Sequence, residues 1–294
     1  MSIKTTGSLT FSEIASEFLD TKPYSMSEFY RSGGLVPEAT ENNNIPTSGA
    51  IQFDDFYGSV RKYSSGYQST YDSGGYRYLV FTSSSTLNCA ALENAEWAVI
   101  GGGGGGGGGA WGGGGGGGRF QTASGTLSGS YPIVIGGAGS YGGSGGTTTF
   151  NGLSSIGGGY GGWDVTLSSV QAPPDGYASG GGGAGSKYYP GASQEGGIGI
   201  VSNGGNGYSG GSGVDAGGGG GGAGGSGQSG YSRTGGLGGA GVAWVDGNYY
   251  CGGGGGYGNG GGQRESGIGY NNYGGGAPAT GSAQQGAVLI RYPI

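Results

Sequence analysis

Glu96-Trp97-Ala98-Val99-Ile100 is a short apolar run of strand-forming residues, and it feeds without a break into nine glycines, residues 101–109; after Ala110-Trp111 come seven more, residues 112–118. A glycine run loses more backbone entropy on ordering than any other sequence and buries no side chain in return. If such a run is ordered, hydrogen bonds between neighbouring backbones must order it. The left-handed threefold helix of polyproline II shape permits this, because its N–H and C=O groups point outward and glycine lets neighbours approach. At about 3.1 Å per residue the two runs would extend about 28 Å and about 22 Å, enough to cross a small domain. Further rods are expected at residues 157–162, 180–185, 217–227, 252–262 and 274–276. The expected fold class is mainly β with polyglycine II helices stacked in a lattice, preceded by a short mixed N-terminal segment.

Of the 294 residues, 87 are glycine, and only 8 of those lie in the first 100. Collagen is excluded, because the runs lack a period of three and the chain has only 9 prolines. A flexible linker is excluded by 22 tyrosines, 8 phenylalanines and 4 tryptophans. The net charge is -6, and Arg119, Arg233, Arg264 and Arg291 are scattered, so no nucleic-acid partner is expected. No stretch approaches the length of a membrane span, and residues 1–11 lack the apolar core of a secretory signal, so a soluble protein made in a cytoplasm is expected.

The chain contains no histidine, which removes the usual general base and the commonest metal ligand. Cys89 and Cys251 have no CxxC partner, so no metal and no cofactor are expected. Two buried free thiols are the favoured reading, with a single disulfide as the alternative. Residues 142–146 match GxSxG without a histidine to activate the serine, and no glycine run ends in Gly-Lys-Ser or Gly-Lys-Thr. Asp54 with Asp55, and Asp164 or Asp175, are carboxylates of the type a glycan-cleaving site pairs, but their turn-rich surroundings favour caps and solvated turns. No enzymatic activity is expected.

Residues 1–62 form a first domain with a threefold echo: Leu9 to Ile14, Tyr24 to Tyr30 and Ile51 to Gly58 each read apolar, polar, apolar, cap, acid, apolar. Three strand-then-turn units are expected, with Ser12, Ser27 or Asp54 opening a short helical turn. So small and polar a segment is expected to pack against another protein, with Phe11, Phe29, Tyr30, Phe53, Phe56 and Tyr57 as docking candidates. Residues 25–37 (SMSEFYRSGGLVP) and 43–51 (NNIPTSGAI) resemble N-terminal segments that recur in virion proteins of tailed bacteriophages, notably marine cyanophages. That resemblance implies docking onto other virion proteins.

Residues 63–294 form the second domain. Strand material is expected at residues 76–82 and 96–100, flanking residues 83–94, and again at 129–136, 147–152 and 286–294. A strand feeding polyglycine, and a closing apolar strand ending in Arg291-Tyr292, resemble the glycine-rich domain of phage tail and tail-fibre proteins. The resemblance implies a virion protein of a tail fibre, spike or tail tip that contacts the host through loops joining the rods. Its partner would be a surface glycan or outer-membrane protein, with a trimer as a possible assembly. The receptor-contact candidates are Trp163, Tyr188, Tyr189, Tyr249, Tyr250, Arg264, Asn271, Asn272 and Tyr273, whose aromatic and amide groups supply contact area and hydrogen bonds. The bland alternative is that these aromatics pack the ends of the glycine rods. A capsid decoration or connector protein and an ice-binding polyglycine protein are the rival functions.

Overall fold

The computed structural model describes residues 3–18, 26–31, 35–36, 40–59, 63–108, 111–163, 176–185, 194–202, 204, 215–258, 262–263, 267 and 269–293. Helix α1 spans Phe11–Glu17, and 3-10 turns follow at Met26–Phe29, Thr40–Asn42 and Phe53–Phe56. The three expected turns are thus present, but no strand precedes them among the described residues. The caps also lie earlier than expected. Thr10 caps α1, its hydroxyl accepting from Glu13 N–H while the Glu13 carboxylate accepts from Thr10 N–H at 2.7 Å. At the third turn Gln52 N–H donates to Asp55 at 2.7 Å. The reciprocal bonds at Thr10 satisfy the free amides of a helix start better than the single side chain expected from Ser12.

The segment also buries a core of its own. Ile14, Phe18, Phe29, Ile45 and Phe56 cluster there, with Phe29 edge-on to both Phe18 and Phe56 at 6.2 Å. Ile3 N–H donates to Ser59 O at 2.9 Å, tying its two ends together.

Glu13 is held at about 2, first by the bond from Lys4 at 2.6 Å, then by the Thr10 backbone and side chain. A carboxylate lowered from 4.5 stabilises the fold above its unfolded value, and that contribution is lost as pH falls towards 2. Glu13→Gln is therefore expected to weaken this segment at pH 7 and to be indistinguishable from wild type near pH 2, as followed by thermal melts across pH.

The rest of the described chain is mainly β. The strands are β1 Tyr63–Ser65, β2 Ser69–Ser73, β3 Tyr76–Phe81, β4 Ser85–Ile100, β5 Phe120–Val134, β6 Thr148–Phe150 and β7 Leu153–Ser155. They continue with β8 Val242–Ala243, β9 Tyr249–Tyr250, β10 Tyr257–Gly258, β11 Gly262–Gln263 and β12 Ala287–Pro293. An antiparallel sheet, curled into a half-barrel, runs in the order β2-β3-β12-β4-β5-β6-β7, with β1 paired to β4. The last strand lies at its centre, Leu289 standing opposite Val80 on one side and Ala98 on the other. Residues 85–94, expected to lie between two strands, belong to β4, which carries register shifts between Cys89 and Ala95.

Side chains alternate between two cores. Leu79, Phe81, Trp97, Val99, Val288 and Ile290 fill one face; Tyr78, Val80, Ala98, Ile100, Ala287 and Leu289 face the other with Trp244, Tyr250 and Cys251. A sheet covered on both faces reads as continuous apolar runs such as residues 96–100.

Beyond Ile100 the chain leaves the sheet, and it returns at Phe120. Residues 113–118 donate in strict rotation, to Gly162, Gly218, Ala277, Gly159, Gly221 and Gly274, over 2.7 to 3.0 Å. Three neighbouring segments are thus met, each at every third residue. Their carbonyls accept from three other segments, Gly113 from Gly107, Gly114 from Gly182, Gly115 from Gly254 and Gly116 from Gly104. Residues 113–118 are therefore enclosed by six backbones. A Cβ on Gly115 would stand 2.0 Å from Gly104 O, and one on Gly116 would stand 2.1 Å from Ser179 O.

Two of the expected rods are shorter than the glycine text. Within residues 217–227 the chain turns at Gly222 and Gly225 and comes back, so that Gly219 N–H bonds to Gln228 O at 2.9 Å. Within residues 252–262 the run ends where β10 pairs with β11. Two further segments of the same bonding type went unrecognised. Gly139 and Gly142 donate to Gly103 and Gly106, and Gly236 and Gly239 donate to Gly217 and Gly220. These segments lie at the periphery, where Ser140, Tyr141 and Ala240 are exposed and only the inward positions must be glycine.

Both cysteines are buried free thiols. Burial pushes Cys89 up to about 11 and raises Cys251 as well. Neither is expected to react with a thiol-specific reagent at pH 8 until the protein unfolds, at which point two thiols should titrate together.

Candidate functional site

A cleft of about 430 Å³ opens where three parts of the body meet. Strand β2 contributes Tyr71, the β8–β9 hairpin contributes Asp246, Asn248 and Tyr250, and the following loop contributes Asn271, Asn272 and Tyr273. The hairpin is shaped by its turn residues. Gly247 has φ +81°, a left-handed conformation that costs glycine little, and the Asp246 carboxylate accepts from Asn248 N–H at 3.0 Å. Strand alternation then turns Tyr249 outward, 42 % exposed, and Tyr250 inward, 4 % exposed.

The Tyr250 hydroxyl donates to Asp246 Oδ2 at 2.5 Å, and Asn248 Nδ2 donates to the same oxygen at 3.1 Å. The carboxylate is thereby fixed by three donors from its own hairpin. The Tyr250 ring lies parallel to Phe120 at 6.1 Å and to Tyr273 at 6.3 Å, while Tyr71 stacks on its cross-strand partner Tyr78 at 4.7 Å. Burial, and then the nearby Asp246 charge, push the Tyr71 hydroxyl up, and burial followed by the bond to Asp246 raises Tyr250. Both phenols stay neutral near pH 7 and serve as hydrogen-bonding groups.

Of the receptor-contact candidates, Tyr250, Asn271, Asn272 and Tyr273 come together in this cleft. Tyr249 lies beside it, its carbonyl accepting from Asn272 Nδ2 at 2.7 Å. Trp163 is elsewhere, packed with Tyr141 at 5.9 Å and Tyr160 at 5.5 Å where the glycine segments end. Tyr188, Tyr189 and Arg264, together with Asp164 and Asp175, lie outside the described residues.

Among the docking candidates, Phe29 and Phe56 belong to the interior of the N-terminal segment and are wholly buried. Tyr30 and Tyr57 donate their hydroxyls to Gly49 O and Gly7 O. Phe53, 49 % exposed, and the half-buried Phe11 beside it at 6.2 Å remain accessible, as does Met26. Sequence reasoning overlooked Tyr71 as a site residue, and it placed Asp246 and Asn248 in a candidate contact loop, residues 246–250, without singling them out. The signal for the last two was the turn Asp246-Gly247-Asn248 directly before two tyrosines; Tyr71 stood out only as an aromatic in an otherwise small and polar strand.

A larger groove of about 870 Å³ runs along Trp97, Phe120, Trp244 and Val245, and its carboxylate, Glu96, is paired with Arg291 at 2.8 Å. Among the described residues, no three Asp, Glu or Cys side chains gather closely enough to hold a metal ion, and no helix is long and apolar enough to cross a membrane.

A curled sheet continued by stacked glycine backbone, with an aromatic and amide cleft on one face, defines a glycine-rich, mainly β protein. Residues 80–293, from β3 to the end of β12, match the family model described as the glycine-rich domain, and the chain belongs to that family. No curated protein and no solved structure matches it.

Proposed function

We propose that the chain is a non-enzymatic structural protein of a tailed-bacteriophage virion, a component of a tail fibre, spike or tail tip whose glycine-rich body contacts the host surface. The reading rests above all on residues 113–118. Their period-three bonding to six neighbours supports reading the body as a polyglycine II lattice, stiffened by backbone hydrogen bonds. Such a body holds connecting segments at fixed positions, and four of the receptor-contact candidates share one cleft. The N-terminal segment is the docking part, with Phe53, Met26 and Phe11 as the face offered to other virion proteins. The resemblance of residues 25–37 and 43–51 to phage virion segments supplies the setting. The absence of histidine and the full hydrogen bonding of the Asp246 carboxylate favour recognition over catalysis.

The test is competition. Purified full-length chain is expected to adhere to susceptible cells and to reduce infection by the intact phage in proportion to its concentration. The absence of both adhesion and protection would leave the decoration or connector role, which immunogold labelling of the head would reveal.

A further inference from the structure

We propose that the cleft between Tyr71, Asp246 and Tyr273 is a saccharide site selective for neutral sugars, and that it excludes acidic ones. The inference gives a ligand class to the host-contacting body proposed above and rests on that reading for its biological setting, while the chemistry stands on the cleft alone. Its volume of about 430 Å³ suits a few sugar rings. Tyr71, 44 % exposed, is backed by Tyr78, and Tyr273 is backed by Tyr250, so both rings are held rigid and offer aromatic surface at little entropic cost. Such surface suits the C–H face of a pyranose.

Polar groups surround these rings. Among the described residues, the side-chain amides of Asn271 and Gln284 and the hydroxyls of Tyr71 and Tyr273 make no hydrogen bond within the protein, which leaves donors and acceptors for vicinal hydroxyls. The Asn248 amide oxygen adds a further acceptor, because its Nδ2 is the atom committed to Asp246.

Charge sets the selectivity. Among the described residues that line it, the cleft contains one carboxylate, Asp246, and no lysine or arginine. Asp246 already accepts three hydrogen bonds, so it adds negative potential without needing a cation. An acidic sugar would place a like charge beside it with nothing to pair, which should weaken binding on the order of tenfold or more.

Ligand-observed NMR with the full-length chain tests this, using neutral trisaccharides built on glucose, galactose, mannose and N-acetylglucosamine, and the galacturonic acid trimer as the acidic probe. At least one neutral trisaccharide is expected to bind, and the galacturonate trimer to bind at least about tenfold more weakly. Tyr71→Ala is expected to lower that affinity about tenfold, and Asn271→Ala, in an exposed loop, should do so with an unchanged melting temperature, which covers the case in which Tyr71→Ala perturbs the sheet. Binding of no neutral trisaccharide, equal or tighter binding of the acidic one, or full binding by Asn271→Ala together with folded Tyr71→Ala would overturn the proposal. Cell adhesion by a chain that binds no neutral trisaccharide would sink the saccharide site and leave the host-contact reading standing. Saccharide binding without cell adhesion would do the reverse.

Discussion

Gly115→Ala is expected to lower the melting temperature of the glycine-rich body by roughly 10 °C, although it adds a single methyl group. The new Cβ would stand 2.0 Å from Gly104 O, about 1 Å inside any tolerable contact, and the obstacle is backbone. A crowded side chain changes rotamer, but a backbone must shift, and here each neighbour is bonded to further neighbours. Gly104 N–H donates to Gly116 O at 2.9 Å, and Gly115 itself bonds to Ala277 O at 2.7 Å and accepts from Gly254. Overpacking typically costs about 1–3 kcal/mol. Losing two or three of these bonds adds about 1 kcal/mol each. A total of about 3–6 kcal/mol, at roughly 2–4 °C per kcal/mol for a body of this size, gives a drop of roughly 10 °C or more.

Gly137→Ala is the control. It lies in a peripheral segment of the same type, a Cβ there meets nothing within 4 Å, and no positive φ opposes it. It is expected to be neutral or to stabilise by up to about 1 kcal/mol, by reducing the freedom of the unfolded chain. Calorimetry on both variants measures the contrast. Equal melting temperatures would mean that residues 113–118 are not enclosed.

Phe29→Ala is expected to unfold the N-terminal segment while leaving the body's transition in place. Phe29 is wholly buried and touches Phe11, Phe18 and Phe56 through ring contacts of 5.2 to 6.2 Å. Deleting a buried phenylalanine side chain costs about 3–5 kcal/mol. A unit of about 60 residues has little stability beyond that. Limited proteolysis is the direct readout, with rapid cleavage within residues 3–59 and a resistant remainder. If the docking role is right, the variant is lost from assembled virions. Phe53→Ala makes the complementary case, because an exposed ring should leave the melt unchanged and weaken incorporation.

The strands were largely legible. Residues 76–81, 96–100 and 287–293 carry β-branched and aromatic side chains in the density that a doubly covered sheet requires, and the glycine runs announced backbone packing. What misled was local. Thr10 caps its turn through reciprocal bonds with Glu13, and at the third turn Asp55 reaches back to the Gln52 N–H, contacts that a single-residue cap rule overlooks. The segments around residues 139 and 239 escaped notice because their outward positions hold serine, alanine and tyrosine, which break the text of a glycine run without breaking its geometry. The cleft was half visible: Tyr250 and Asn271 to Tyr273 lie close in sequence, whereas Tyr71 reaches them only through the sheet.

From its residues alone the protein was bound to contain an apolar β-sheet and an ordered glycine body, because so many aromatics need a core and so much bare backbone needs partners. Which backbone lies beside which was decided only in three dimensions. Glycine has no side chain with which to specify a neighbour, so the order of the segments around residues 113–118 follows from where the sheet releases and recaptures the chain. The same anchoring carries Asp246 and Tyr273 to Tyr71, since β12 is inserted between β3 and β4 and brings the end of the chain back to its beginning.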